Sequence, residues 1–405
     1  MKNASKHIVI IGGGAAGFFA AINCAQKNPD YRITILEQSS KTLQKVKISG
    51  GGRCNVTHAC FENRELVKNY PRGEKQLLSV FSKFNPANTI EWFEQRSVEL
   101  KAEEDGRMFP VTDDSQTIID CFWDEVKLTG VNVVTNCTVD ALEKTDTGWI
   151  VKTNQQDMAA GAVLVAAGSS LRIWKILEAV GHSIVPPVAS LFTFNIQHAL
   201  LKGLQGLSVK NGVVDLPDSS KIVLPPSPLL ITHWGISGPA VLKLSAFAAR
   251  ELATCNYRFP IKINWCGSSE SDVLSDLIQL KQASPRKNIS TNPLYGIPTR
   301  LWERICQHAK GISNKNYADA SKENLQSLAG WLTGCELKVN GKSTFKEEFV
   351  TAGGVDLSEV DFKTMQSKKI PGLYFAGEVL DIDAITGGFN FQAAWSTAWV
   401  AAQSM

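Results

Sequence analysis

The turn Gly12-x-Gly14-x-x-Gly17, set directly behind the apolar run His7-Ile8-Val9-Ile10-Ile11, limits what this chain can fold into more than any other feature. Each glycine answers a separate demand of a dinucleotide pyrophosphate. The first permits a tight turn, the second lets the phosphates approach the backbone, and the third lets helix and strand pack closely at the positive helix end. Ala15 and Ala16 fill the variable positions, and the small and apolar residues on to Gln26 suit a tightly packed helix. Tyr31 to Leu36 is a second, β-branched strand. Strand, helix and strand in that order form a right-handed βαβ unit, hence a parallel sheet and an α/β fold. Glu37 closes the second strand 20 residues after Gly17, where a carboxylate can accept hydrogen bonds from an adenosine ribose. A bound dinucleotide follows from this context, although the turn alone does not separate FAD from NAD.

Further strands are expected at Val131 to Thr135, Gly148 to Thr153 and Ala162 to Ala167, the last ending at Gly168, which extends the sheet to about residue 170. After Pro186-Pro187 the pattern shifts to short runs between proline and glycine turns: Leu191 to Ile196, Gly212 to Leu216, Ile222 to Leu224 and Tyr257 to Ile263. These predict a small β-barrel or sandwich. From Asp272 to Leu332 the apolar spacing is helical, and Ile370 to Glu378 returns to a strand with a glycine end, followed by an alanine- and tryptophan-rich helix at Phe391 to Gln403. The expected architecture is a Rossmann-like FAD-binding domain (1–188 and 343–405) interrupted by a β-barrel (189–268 and 333–342) and a small helical insert (269–332).

The C-terminal part selects flavin over nicotinamide. A strand from Gly372 to Ala376 leads into Gly377-Glu378, and Gly387-Gly388-Phe389-Asn390-Phe391-Gln392 opens a helix. In two-part FAD proteins the distal glycine–acid pair meets ribitol and phosphate, and the last helix aims its N-terminal amides at the flavin pyrimidine. Asn390 and Gln392 are amides that orient rather than titrate. Between these ends lies Ser49-Gly50-Gly51-Gly52-Arg53-Cys54-Asn55, a loop that can lie against phosphate or the isoalloxazine edge, with Arg53 opposite an anion. Gln38, Val139, Ala167 and Gly168 complete the expected cofactor set.

Taken together, GGGAAG, SGGGRCNVTH, ITHWGISGPAVLKLS (231–245), TAGGV (351–355) and GLYFAGEVLDIDAITGGFNFQAAWSTAW (372–399) resemble the bacterial YhiN/BaiN/RdsA-like flavoprotein family over nearly the whole chain. The resemblance implies an FAD domain split by a barrel and a helical insert, and a reduced nicotinamide, NADH or NADPH, as electron donor. It also implies one of several activities: dihydrouridine formation in 23S ribosomal RNA, reduction of conjugated enones, or aminoacetone oxidation. One departure from the family is local. Relatives carry a longer glycine-rich segment after the strand ending at Gly168, whereas here Ser169-Ser170-Leu171 runs straight into a helix.

The leading expectation is an NAD(P)H-dependent reductase of an electron-poor C=C bond, with Cys54 and His233 as candidate proton donors. A flavin-dependent amine oxidase using O2, and a non-catalytic redox-sensing flavoprotein that binds RNA or protein, are the alternatives. A formal charge of +3 gives no overall field toward nucleic acid or membrane. The window 281–322 is different, holding eight Lys/Arg against Glu303 and Asp319, and it is the expected place for contact with an rRNA substrate. No apolar run reaches the roughly 20 residues of a membrane span, and the start shows no signal-peptide pattern, so a cytoplasmic protein is expected. Nine scattered cysteines without a CxxC pair suit reduced thiols, and Cys54, His58 and Cys60 lack an evident fourth ligand, so no metal is expected.

Overall fold

A computed structural model describes residues 6–217, 222–343 and 350–405. They fall into two compact units, one formed by 1–188 with 350–405 and the other by 189–349. The first unit is built on β1 (His7–Ile11), α1 (Ala15–Lys27), β2 (Arg32–Leu36), α2 (Ser115–Thr129), β3 (Asn132–Val134), β4 (Ala162–Val165), α3 (Leu171–Ala179), β5 (Leu373–Phe375) and α4 (Phe389–Ser404). Five strands run parallel in the order β5-β4-β1-β2-β3, and two short antiparallel strands, 366–367 and 360–361, extend the β5 edge. The register sets Ile8 opposite Ala162 and Ile33, and Val163 opposite Leu373. All five residues of β1 are buried, as a central strand covered on both faces requires.

Helices α1 and α4 approach closely because both present small side chains. Ala16, Gly17, Ala20 and Ala21 are buried on α1, as are Ala393, Ala394, Ala398 and Ala401 on α4. Beside them an aromatic cluster joins α1, α2 and α4. Phe19 lies 5.3 Å from Trp395 and Phe122 lies 5.6 Å from it, ring centre to ring centre, in tilted geometries that favour edge and offset contacts.

One strand expected in the parallel sheet, Gly148–Thr153, lies elsewhere. Val139–Thr145, Gly148–Thr153 and Met158–Ala160 form a separate antiparallel sheet. Thr145 pairs with Gly148 across a two-residue turn, and such a hairpin forces antiparallel pairing.

In the second unit, seven strands pair in the order 335–339, 259–264, 208–215, 227–231, 235–237, 193–195 and 342–343. The strands at the two ends of this series are consecutive in the chain, separated only by Asn340 and Gly341. The run 222–224 forms no strand. The helical stretch is three helices, Glu270–Ala283, Thr299–His308 and Lys322–Thr333. The irregular stretch before the second contains Pro285, Pro293 and Pro298, each lacking the amide that a helix interior needs. This sheet and the helices share one apolar core that includes Phe194, Ile261, Trp302 and Leu328.

Candidate functional site

The Gly12 to Gly17 turn is too close to its neighbours for side chains at its first and third glycines. Gly12 has φ of +115°, and a Cβ there would lie 2.4 Å from Ala166 O. At Gly17 a Cβ would lie 1.9 Å from Gly12 O, so the third glycine permits the close strand–helix packing. Beyond Gly14 the space is open, and α1 begins there with no side-chain cap and no acid in its first turn. Its first amides are therefore left for a phosphate. Glu37 accepts from Gly13 N at 2.8 Å through one oxygen, and from Ser39 N and Oγ, each at 2.8 Å, through the other. Three bonds hold the carboxylate beside the turn and leave it acceptor capacity for a hydroxyl.

A small cavity of about 50 Å³ opens here, lined by Gly12, Glu37, Gln38, Val139, Ala167 and Arg172 among others. The fold thus gathers five expected residues from four separated segments. Arg172 was not legible in the sequence. It lies in the first turn of α3, where Ser170 caps the helix, and it donates to Val139 O at 3.1 Å and pairs with Asp140.

The C-terminal residues reach the same turn. Gly377 has φ of +72°, donates to Thr397 Oγ1 at 3.0 Å, and a Cβ on it would lie 3.1 Å from that of Ala16. Glu378 forms an ion pair with Lys45, and its Oε2 lies 3.7 Å from where a Cβ on Gly168 would stand. Gly388, with φ of +90°, precedes α4, and a Cβ there would lie 2.4 Å from Thr57 O. The Asn55 amide bridges Gly388 N and Thr57 O at 3.0 Å each, which fixes the start of α4. Phe389 is buried, stacked 4.5 Å from His58, and its carbonyl accepts from Tyr70 Oη at 2.6 Å. Asn390 bonds both the amide and the carbonyl of Ala384 and so pins the loop ahead of α4.

Two expectations need correction. Gln392 does not reach the cofactor side. It is fully buried, accepts from Thr57 and Thr89 hydroxyls at 2.5 and 2.9 Å, and donates to Ser396 at 2.9 Å, so its amide works inside the core. Cys54 is fully buried, and burial pushes its thiol up to about 12, only partly offset by Ser49. A thiol with no exposed surface does not serve as the acid.

The loop around Cys54 has a backbone reason for its glycines. Gly50, Gly51, Gly52 and Cys54 all have φ between +58° and +87°, and space beyond Gly51 and Gly52 is open. Arg53 is not an unpaired cation. It donates to Glu103 at 2.6 Å, meets Asp113 at 3.4 Å and lies 3.9 Å over the Phe109 ring. His233 belongs to the second unit, exposed in the turn between the strands 227–231 and 235–237.

Sequence reasoning missed the groups that secure the loop before α4. Arg72 and Asp383 form a buried ion pair in which both nitrogens of the guanidinium fork donate to the carboxylate. The partners are 311 residues apart, and no local pattern signals such a pair. Among the described residues no helix is long and apolar enough to cross a membrane, and no group of three or more His, Cys, Asp or Glu side chains could hold a metal.

These features fit FAD. Open space at Gly14, an uncapped α1, the acid-lined cavity at Glu37 and a second glycine-led helix start are what a long dinucleotide needs from one unit. The sequence profile described as HI0933-like protein Rossmann domain matches residues 6–404. A ribosomal RNA dihydrouridine synthase of Escherichia coli (strain K12) is 29% identical, with 98% of this chain and 97% of that protein covered. A 3-dehydro-bile acid delta(4,6)-reductase of Clostridium scindens is 25% identical over 98% of both chains. Among solved structures, the 3-ketosteroid-delta4-(5alpha)-dehydrogenase of Rhodococcus jostii RHA1 aligns with a TM-score of 0.51 at 12% identity, covering 98% of this chain and 96% of that one, a likeness of fold.

Proposed function

This chain belongs to the HI0933-like Rossmann-domain family, and from that premise we propose that it is an FAD-dependent oxidoreductase that uses NAD(P)H to reduce a C=C bond conjugated to a carbonyl. Uridine in ribosomal RNA is the favoured substrate and a small enone the other. The observation that carries this reading is that two relatives covered over nearly their full length are named for such reductions, one giving dihydrouridine and one acting on a 3-oxo bile acid. Uracil's C5=C6 bond is conjugated to its C4 carbonyl, which makes it an acceptor of the same kind as a steroid enone.

When bound, FAD supplies the relay that passes a hydride from reduced nicotinamide to the acceptor carbon. The chain's own groups divide the remaining work. The amides of Gly14 to Ala16 at the start of α1 would hold the pyrophosphate, with Gly13 N held by Glu37, and Glu37 would hold the ribose. Gly377 and Glu378, the latter paired with Lys45, would meet the ribitol side. The start of α4, set by Asn55 and Gly388, would offer its amides to the flavin's pyrimidine end, where they would favour negative charge. His233 remains the proposed proton donor.

Two experiments test this reading. Anaerobic NADPH is expected to bleach the flavin, and amines in air are expected to give no hydrogen peroxide. Ribosomal RNA from a deletion strain is expected to lack one dihydrouridine. Unchanged dihydrouridine removes the rRNA substrate while leaving the flavin assignment in place, and peroxide from amines with no bleaching by NADPH refutes the reductase.

A further inference from the structure

In the second unit, three cations and three rings collect at one corner. Arg300, Arg304 and His308 stand one turn apart along the helix Thr299–His308, so they share a face. That face meets the short turn Ala199–Leu201. Arg304 donates to Ala199 O at 2.6 Å, and Arg300 donates to Gly203 O. Lys202 lies between those two acceptors in sequence and is exposed. The His308 ring lies 5.6 Å from His198 on one side and 5.1 Å from Trp331 on the other, both at 35°. His198 Nδ1 accepts from Leu200 N, which leaves its Nε2 as the protonated nitrogen. All three rings are half-buried. Each guanidinium has five N–H donors and uses one here, so both keep donors for an incoming anion. Glu303 is the sole acid of this helix.

Two positively charged forks and an ammonium beside tilted, partly exposed rings suit a ligand that carries both phosphates and flat bases. We propose that this corner holds single-stranded RNA, with Lys202, Arg300 and Arg304 on backbone phosphates and the His198–His308–Trp331 rings as a stacking surface for an unpaired base. The inference rests on the rRNA reading of the function and places part of the substrate contact on the second unit. It narrows the expected basic window, because Lys281 and Lys315 of that window are taken up by Ala320 O and Asn324. Charge carries the affinity and stacking adds tolerance for any base, as in other single-strand binders.

The test is fluorescence anisotropy of the FAD-loaded protein with a labelled, unstructured uridine-rich RNA oligonucleotide across a salt series. Lys202→Gln, which removes no contact seen here, is expected to weaken binding several-fold and to lower the slope of log K against log salt by about 0.7. Arg300→Gln with Arg304→Gln is expected to lower it by about 1.4 more. Flavin bleaching by NADPH is expected to match wild type in every variant, which reports an intact protein. Wild-type binding that is indifferent to all three substitutions overturns this corner while sparing the rRNA reading. A wild-type protein that binds no RNA overturns both. Loss of binding to phosphatidylserine vesicles with RNA binding unchanged assigns the corner to a lipid surface and also overturns the proposal.

Discussion

Removing Asp383 tests the claim that a buried ion pair far from the pyrophosphate turn holds the cofactor site together. The Asp383 side chain has no exposed surface and that of Arg72 has 10%, and the two residues are also joined by a backbone bridge. Asp383→Ala removes the carboxylate that accepts from both nitrogens of the Arg72 fork, and removing one partner of a buried ion pair costs about 3–5 kcal/mol. For a unit of about 240 residues this corresponds to a fall in Tm of roughly 6–20 °C. Because Asp383 lies in the loop that Asn390 pins ahead of α4, FAD affinity is expected to fall with stability, by about tenfold for each 1.4 kcal/mol transferred to the loop. Thermal melts followed by near-ultraviolet circular dichroism, with and without saturating FAD, separate the two effects. The combined variant Arg72→Met with Asp383→Leu removes both charges and is expected to be less damaged than the sum of its single changes, with a coupling of about 2–3 kcal/mol. Single changes that add within about 0.5 kcal/mol would refute the reasoning, as would an Asp383→Ala protein that melts with wild type.

Gly17→Ala drives a methyl to 1.9 Å from Gly12 O, and is expected to cost about 1–3 kcal/mol and most FAD affinity, read by equilibrium dialysis of the flavin. Gln392→Leu leaves the Thr57 hydroxyl without its acceptor and Thr89 with only Asn85 O at 3.4 Å, and a loss of about 1–3 kcal/mol is expected in urea melts while the flavin absorbance spectrum stays unchanged. Cys54→Ala is expected to keep the wild-type pH profile of turnover, since the thiol is buried with its pKa at about 12; a missing acid limb would restore Cys54 as the proton donor. Stability should fall with acid at the His182–Glu359 pair. Burial lowers the His182 pKa, so the unfolded chain binds more protons as pH drops below 6.5. Burial opposes ionisation of Glu359, yet hydrogen bonds from Lys369, Ser183 and His182 bring it down to about 2, so its contribution is present above about 4.5 and lost on the way to 2. Melts from pH 7 to 3 are expected to show this decline, and Glu359→Gln is expected to flatten its lower part.

What the sequence showed clearly were features with short-range causes. The order of β1, α1 and β2 follows from apolar runs and three glycines, and the ends of the chain's last helix follow from its glycine pair and alanines. The roles of polar side chains were less legible because their partners are distant in sequence. Arg53 reads as a spare cation until Glu103 and Phe109 fold over it, 50 and 56 residues later. Gln392 reads as a cofactor amide, and its position three residues past Phe389 does not reveal that helix α4 turns it inward to Thr57 and Thr89. Gly148 to Thr153 reads as more parallel sheet because strand propensity carries no direction; only the two-residue turn at Asp146-Thr147 does.

The position of the return strand explains why cofactor and substrate groups can be separated along the chain. β4 and β5 pair directly, from Val163 with Leu373 to Val165 with Phe375, although about two hundred residues lie between them. The ladder therefore closes over the departure point, and Gly377 follows β5 just as Gly168 follows β4, bringing Glu378 beside Gly168. The FAD contacts expected of these glycines depend on that register and on the α1–α4 packing behind it, both internal to the first unit. Changes confined to 189–349 can then alter what is reduced without moving the residues that hold the dinucleotide. On this argument Lys202→Gln should change RNA binding and leave FAD affinity untouched, whereas Gly17→Ala should remove FAD and leave RNA binding in place. A Lys202→Gln protein that lost flavin would show that the two functions are not separable in this way.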